Sequence, residues 1–237
     1  MILHLVGVKL VDFMPRKNLL VPDEVYHVFN KSIAGYKVFN DEKDFTRIQQ
    51  MFRYYQHQDP PTRFSHFINS HEVRSSGVTA PLKVLSEETT KAVQIIAYCV
   101  MPTHIHLVLK QLTENGVSTF MSKVLNSFTR YFNEKHKRKG PLWEGRFKNV
   151  QVNSDDQLLH LTRYVHLNPV TAYLCERAED WNPSSYHEYV GEIPQGDRFC
   201  SYEGLLDIAP KSYKRFVQDQ IGYQRELAGI KSLLVDN

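Results

Sequence analysis

Two histidines, His104 and His106, stand two residues apart in the run HIHLVLK. In an extended strand that spacing sends both imidazoles to one side and Ile105 to the other. Neighbouring imidazoles on one face can grip a single divalent ion, or they can simply be polar residues on the wetted side of a sheet. A second group lies in LTRYVHLNPV. On a helix, Tyr164 shares its side with His160 and Asn168, each four residues away, so a phenol and an amide are presented one turn apart. Taken alone, a tyrosine on a helix flank reads as a packing residue, and Asn168 before Pro169 as a helix ending.

Charge supplies a third observation. The formal net charge is only +3, yet residues 121–150 hold eight basic residues (Lys123, Arg130, Lys135, Lys137, Arg138, Lys139, Arg146, Lys148) against Glu134 and Glu144. That segment carries +6 and the rest of the chain −3. Such concentration suits a phosphate-backbone partner, and it also suits a solvated helix end. Trp143 and Phe147, inside the same segment, are candidates for stacking on unpaired bases or for a place in the core.

The elements that must position these residues follow from pattern. EVYHVFN (24–30) alternates and carries β-formers, so it reads as a strand. A helix is predicted over about 41–57, with Phe45, Ile48, Met51, Phe52 and Tyr55 at helical spacing. Residues 59–90, opened by Pro60-Pro61, show no clear period and read as a long inserted loop. Strands are predicted at 93–101 and 104–110, joined tightly through Pro102-Thr103. A long helix follows at about 118–137, capped by Ser118 or Thr119 and stopped by Gly140-Pro141. A strand at 147–152 and a helix at 154–168, capped by Ser154 and ended by Pro169, complete the order β-α-β-β-α-β-α. That order predicts an α+β, ferredoxin-like domain with an antiparallel sheet and helices on one face. Residues 1–194 form the expected domain, and 195–237 an extension of extra helices, with Tyr202, Leu205, Leu206, Tyr213, Phe216 and Val217 at helical spacing.

The stretches AYCVMPTHIHLVLK, PLWEGRFKNVQV, LTRYVHLNPVTAYL and WNPSSY closely resemble the IS200-like, single-tyrosine transposases, nearest their branch associated with repetitive extragenic palindromes. The N-terminal YHVFNKSIAGYKVFNDEKDF is similar to that branch's opening strand and turn. The resemblance implies that His104 and His106 are the histidine pair of an HUH motif, binding a catalytic divalent metal, Mg²⁺ or Mn²⁺. It implies that Tyr164 is the nucleophile, and that Asn168 completes the metal site. Thr103 stands where many relatives carry Asn, and Lys31 replaces the arginine common after the first strand. Neither departure touches the presumed chemical residues.

The implied function is metal-dependent cleavage and rejoining of single-stranded DNA, folded as a hairpin, through a 5′-phosphotyrosine on Tyr164. Arg130, Lys135, Lys137, Arg138, Lys139, Arg146 and Lys148 would meet phosphates, and Trp143 would meet bases. Of the other tyrosines near the motifs, Tyr98, Tyr131 and Tyr173, Tyr131 is the alternative nucleophile to check. His160, His166 and His27 are weaker candidates for assisting the phenol. A domesticated hairpin nuclease that no longer transposes, or a non-catalytic DNA-binding module, would use the same residues. Both monomer and homodimer fit the sequence. The three cysteines lack a CxxC pair and fit a reducing cytoplasm. MILHLVGVKLVDFM lacks a basic start and a cleavage site, so no signal peptide is expected, and no apolar run approaches a membrane span.

Overall fold

The computed structural model describes residues 19–226. The N-terminal MILHLVGVKLVDFM run and the last part of the expected C-terminal extension lie outside the described residues. The first strand, β1 (Val25–Lys31), leads to α1 (Glu42–Tyr55), whose N-cap Asp41 accepts a hydrogen bond from the Asp44 N–H. Strands β2 (Val93–Met101) and β3 (His104–Gln111) form the expected hairpin about Pro102-Thr103. Helix α5 (Gly116–Lys135), strand β4 (Lys148–Val152) and helix α6 (Asp155–Thr171) follow, with Ser154 capping α6 through the Gln157 N–H. The sheet order is β2-β3-β1-β4 and every neighbouring pair is antiparallel. This is the ferredoxin-like plan, in which each crossover helix carries the chain past one intervening strand.

The two sheet faces are covered separately. Tyr26, Val28 and Asn30 of β1 pair with Leu109, Leu107 and Ile105 of β3 and face α1 and α5. There the Phe52 ring of α1 lies 5.9 Å from Tyr98 of β2 and 6.2 Å from Phe120 of α5. The opposite face carries His27, Phe29 and Lys31 beside Val108, His106 and His104. Helix α6 lies over that face, so helices flank both sides rather than the one side expected. The reason is that this second face, though it carries the histidines, also presents Ala97, Cys99 and Val108, which are fully buried and need a cover.

Three local expectations are corrected. Residues 59–90 are not a structureless loop: they form α2 (Phe64–Phe67), α3 (His71–Ser76) and α4 (Thr79–Glu88). Phe64 is buried against Tyr54 and Tyr55, and Leu82 and Leu85 anchor α4, but each helix is too short to display a period. Helix α5 starts at Gly116 after a left-handed Asn115, ahead of Ser118 and Thr119. A Cβ on Gly116 would sit 2.3 Å from the Ala92 carbonyl oxygen, so this close approach requires glycine. Helix α6 passes through Pro169 to Thr171. Proline cannot donate to the Val165 carbonyl, and the Asn168 side-chain amide substitutes, reaching Tyr164 O at 2.9 Å and Val165 O at 3.5 Å.

The C-terminal part closes the free edge of β2. The Val100 N–H donates to Pro183 O, Ser185 N–H to Tyr98 O and Ser201 N–H to Ile95 O. At the irregularity between Ile95 and Ala97, the Tyr189 hydroxyl of α7 (Tyr186–Tyr189) donates to the Ile96 carbonyl. Helix α8 (Pro210–Gln218) buries Tyr213 and Val217, whereas 202–206 forms a turn, so the expected helical spacing holds only in α8. No helix among the described residues is long and apolar enough to cross a membrane.

His166 of α6 is wholly buried, with Nδ1 2.6 Å from the Tyr213 hydroxyl and Nε2 2.7 Å from Ser185 Oγ. Burial, with a smaller contribution from His187, lowers its pKa to about 3. The folded state therefore holds a neutral ring where the unfolded chain, with a pKa near 6.5, binds a proton. The stability this contributes is complete above pH 6.5 and falls with pH towards 3, by up to about 1.4 kcal/mol per pH unit. Thermal melts between pH 7.5 and 4.5 should show a falling Tm whose slope is smaller in His166→Gln.

Candidate active site

The register of β1 on β3 and β4 lays two cross-strand rows on the α6 face. One runs Lys148, Phe29, His106, Cys99; the next runs Lys31, His104, Met101. The His104 and His106 rings lie 5.0 Å apart at 83°, so two strand positions do bring the two imidazoles together. Each is oriented through Nδ1: His104 by Thr103 Oγ1 at 2.9 Å, and His106 by His27 Nε2 at 2.9 Å. With Nδ1–H donated in each case, the Nε2 lone pairs of both rings are left available. Burial first, and then the neighbouring charge of Lys31, lowers the pKa of His104 to about 4. His106 is held well below its ordinary value, chiefly by burial, with His27, His104 and Lys31 adding to it.

Helix α6 brings Tyr164 over this pair. Its ring is 6.0 Å from that of His27 and 5.9 Å from that of His106, edge-on to both, while 42% of the residue remains exposed. Burial raises the phenol's pKa and the Asn168 side chain opposes the rise. Asn168 sits one turn on, 9% exposed, with Nδ2 donating to helix carbonyls and Oδ1 as its side-chain acceptor. Among the described residues no three His, Cys, Asp or Glu side chains group as a metal site, so any third protein ligand here is of another type. A hard-to-intermediate divalent ion accepts two imidazole nitrogens and an amide oxygen, and the donor set fits that class.

The other tyrosines fall elsewhere. Tyr131 donates to Asp44 Oδ1 at 3.0 Å on the α1–α5 side, Tyr98 is buried under Gln49, and Tyr173 is exposed beside Arg225. His160 is on the surface, near Asp156 and Arg163. The expected DNA-binding residues divide. Arg146 and Lys148 join Lys31, Phe29 and Glu144 around a cavity of about 190 Å³, and the Phe29 ring is 5.9 Å from that of His106. Arg130 lies on α5, and Lys137, Arg138 and Lys139 on the turn after it, away from the histidine pair. Lys135 is engaged internally, 2.7 Å from the buried Asp44 and 2.9 Å from Asp41. Trp143 and Phe147 are buried, and the Trp143 indole donates to Leu125 O and Thr129 Oγ1. Both therefore take the core place rather than a stacking surface.

Residues 65–168, from α2 to Asn168, match the family described as IS200-like transposases. Over 108 residues the chain is 32% identical to a REP-associated tyrosine transposase of Haemophilus influenzae, covering 41% of this chain and 61% of that protein. The chain thus spans about three-fifths of this curated relative. A solved REP-associated tyrosine transposase bound to a REP hairpin is 18% identical, with a TM-score of 0.45, covering 83% of this chain and 95% of that one.

His27, in sequence reading only a weaker candidate for assisting the phenol, lies directly against His106. Its signal is its odd position in β1, on the same side as the histidines of the neighbouring strand. It is a positioning residue, fixing the His106 ring from behind. His27→Ala should leave the fold intact and weaken Mn²⁺ binding by about 10- to 100-fold in a calorimetric titration, the range for loss of such a support. Lys135→Ala should lower stability by about 2 kcal/mol in urea melts, because Asp44 is left buried with a partly screened partner removed. Its hairpin-DNA affinity should stay near wild type.

Proposed function

We propose that this chain is a transposase that cuts and rejoins single-stranded DNA ends, folded as a hairpin, through a covalent bond to Tyr164. The observation that carries the reading is the phenol of Tyr164 held edge-on above His106 and His27, on the face where His104 and His106 converge. A divalent cation held by His104 and His106 through Nε2, and by Asn168 through Oδ1, would neutralise the anionic phosphodiester and orient its phosphorus. Two nitrogens and an amide oxygen suit Mn²⁺ better than Mg²⁺, which prefers oxygen.

The chain's own residues supply the remaining steps. Tyr164 Oη attacks phosphorus, the P–O3′ bond breaks, and the departing oxygen takes up a proton to become a 3′-hydroxyl. The phenol's proton leaves through its solvent-exposed side. The 5′-phosphotyrosine keeps the energy of the broken ester, so a second 3′-hydroxyl can attack it, restoring the phenol without ATP. Lys31, Arg146 and Lys148, beside the histidine row, would hold the flanking phosphates. The phenol ring touches His106 edge-on, 5.9 Å between centroids, so the scissile phosphate would lie against the exposed hydroxyl end of Tyr164 beside the imidazoles, a placement on which attack depends.

The test is a denaturing gel of protein incubated with Mn²⁺ and labelled hairpin-bearing single-stranded oligonucleotides that include the gene's own flanks. Label should remain on the wild-type protein and be absent with EDTA or in Tyr164→Phe. Label that persists in Tyr164→Phe would sink the assignment.

A further inference from the structure

The far end of the molecule holds a second charged cavity that the proposed chemistry does not use. It measures about 120 Å³ and lies between the end of α1, α4 and residues 196–199. Arg53, Lys83, Lys91 and Arg198 line it, opposed by a single carboxylate, Asp197. Arg198 already serves the structure, bonding to Ile193 O and the Tyr202 hydroxyl. For Arg53, Lys83 and Lys91, no carboxylate lies within ion-pair distance among the described residues. Lys91 is half-buried, so its ammonium has lost part of its water without gaining a counter-charge.

Gln56 adds an independent observation. It is 4% exposed and lines the same cavity; its Nε2 donates to Arg53 O, but its buried Oε1 has no hydrogen-bond partner. A cluster of cations beside an orphaned acceptor asks for a ligand that is anionic and also carries a donor. A phosphate bearing one hydroxyl has both properties; sulfate and a backbone phosphodiester have only the charge.

We infer that this cavity binds inorganic phosphate, with Lys91, Lys83 and Arg53 taking the charge and Gln56 Oε1 accepting the hydroxyl that hydrogen phosphate keeps at neutral pH. The site is separate from the histidine pair. Lys91 precedes β2, whose other end, Met101, pairs with His104, and at ~3.3 Å per residue the two lie about 30 Å apart along the strand. The inserted segment thereby acquires a role, since α4 contributes Lys83 to one wall.

The experiment compares thermal melts and calorimetric titrations of the full chain in inorganic phosphate, in sulfate and in chloride, at equal ionic strength. Phosphate should raise Tm and bind about fivefold more tightly than sulfate, the difference one neutral hydrogen bond makes. Lys91→Gln should weaken phosphate about tenfold, and the exposed Lys83→Gln should weaken it in the same direction, which guards against a folding defect in the first variant. Without phosphate, Lys91→Gln should raise Tm, because it relieves crowding of like charges, whereas a purely structural lysine would lower it. Equal binding of phosphate and sulfate, or phosphate binding unchanged in both variants, would overturn the inference. Weakened hairpin-DNA binding in both variants, with a salt slope shallower by about one, would assign the cavity to a DNA backbone phosphate instead.

Discussion

The antiparallel pairing of β1 with β3 is the constraint on which the site depends. It sets Phe29 opposite His106 and Lys31 opposite His104, and it delivers His27 to the Nδ1 of His106. Strand residues alternate between faces, so slipping this register by one residue would turn His27 and Lys31 into the apolar core and bring Tyr26 and Val28 out. What prevents the slip is on the other side of the sheet. Tyr26 and Val28 are fully buried with Leu107 and Leu109 beneath α1 and α5. The geometry of the polar face is therefore secured by apolar burial on its reverse, and the histidines contribute little to their own placement.

Helix α6 supplies the second half of the site by a different means. Its inward side is more polar than a usual core stripe: Thr162, His166 and Asn168 are buried with Val165 and Leu158. The His166 bonds to Tyr213 and Ser185 fix the helix's rotation against α8 and the loop before α7, and that rotation leaves Tyr164 half-exposed above the sheet. Buried polar bonds of this kind are directional, so they specify a rotation that apolar contacts alone would leave looser. The Asn168 amide has a related part. By covering the carbonyl that Pro169 leaves unpaired, it lets α6 continue for another turn instead of fraying beside Tyr164.

Much of this was legible in the sequence because alternation and helical period survive wherever an element is long. β1 to β3, α1 and α5 each read directly, and so did the nearness of His104 to His106. Helices α2 to α4 were not legible, since four to ten residues hold too few turns for a period, and Phe64 declares itself only through its contacts with Tyr54 and Tyr55. The helix over 154–168 was read, but its place on the second face was not, because the histidines of β3 mark that face as a wetted surface to pattern reading. His27 was undervalued for a similar reason: its partner lies 79 residues away, and only the register connects them.

The distribution of basic residues shows where composition stops being informative. The +6 segment reads as one patch, yet its members do unlike things once folded. Lys135 neutralises the buried Asp44, Arg138 is held by Asn133 and Pro141 O, and Arg146 and Lys148 gather beside the histidine row. An ion pair within the protein has already used its charge, so it adds little to the field felt by a phosphate. Basic residues also gather around two separate cavities. One adjoins Phe29 and His106; the other, built entirely from residues outside the basic segment, sits behind α4. Counting charges along the chain finds neither boundary, because each cavity takes its lining from segments widely separated in sequence and joined by the sheet.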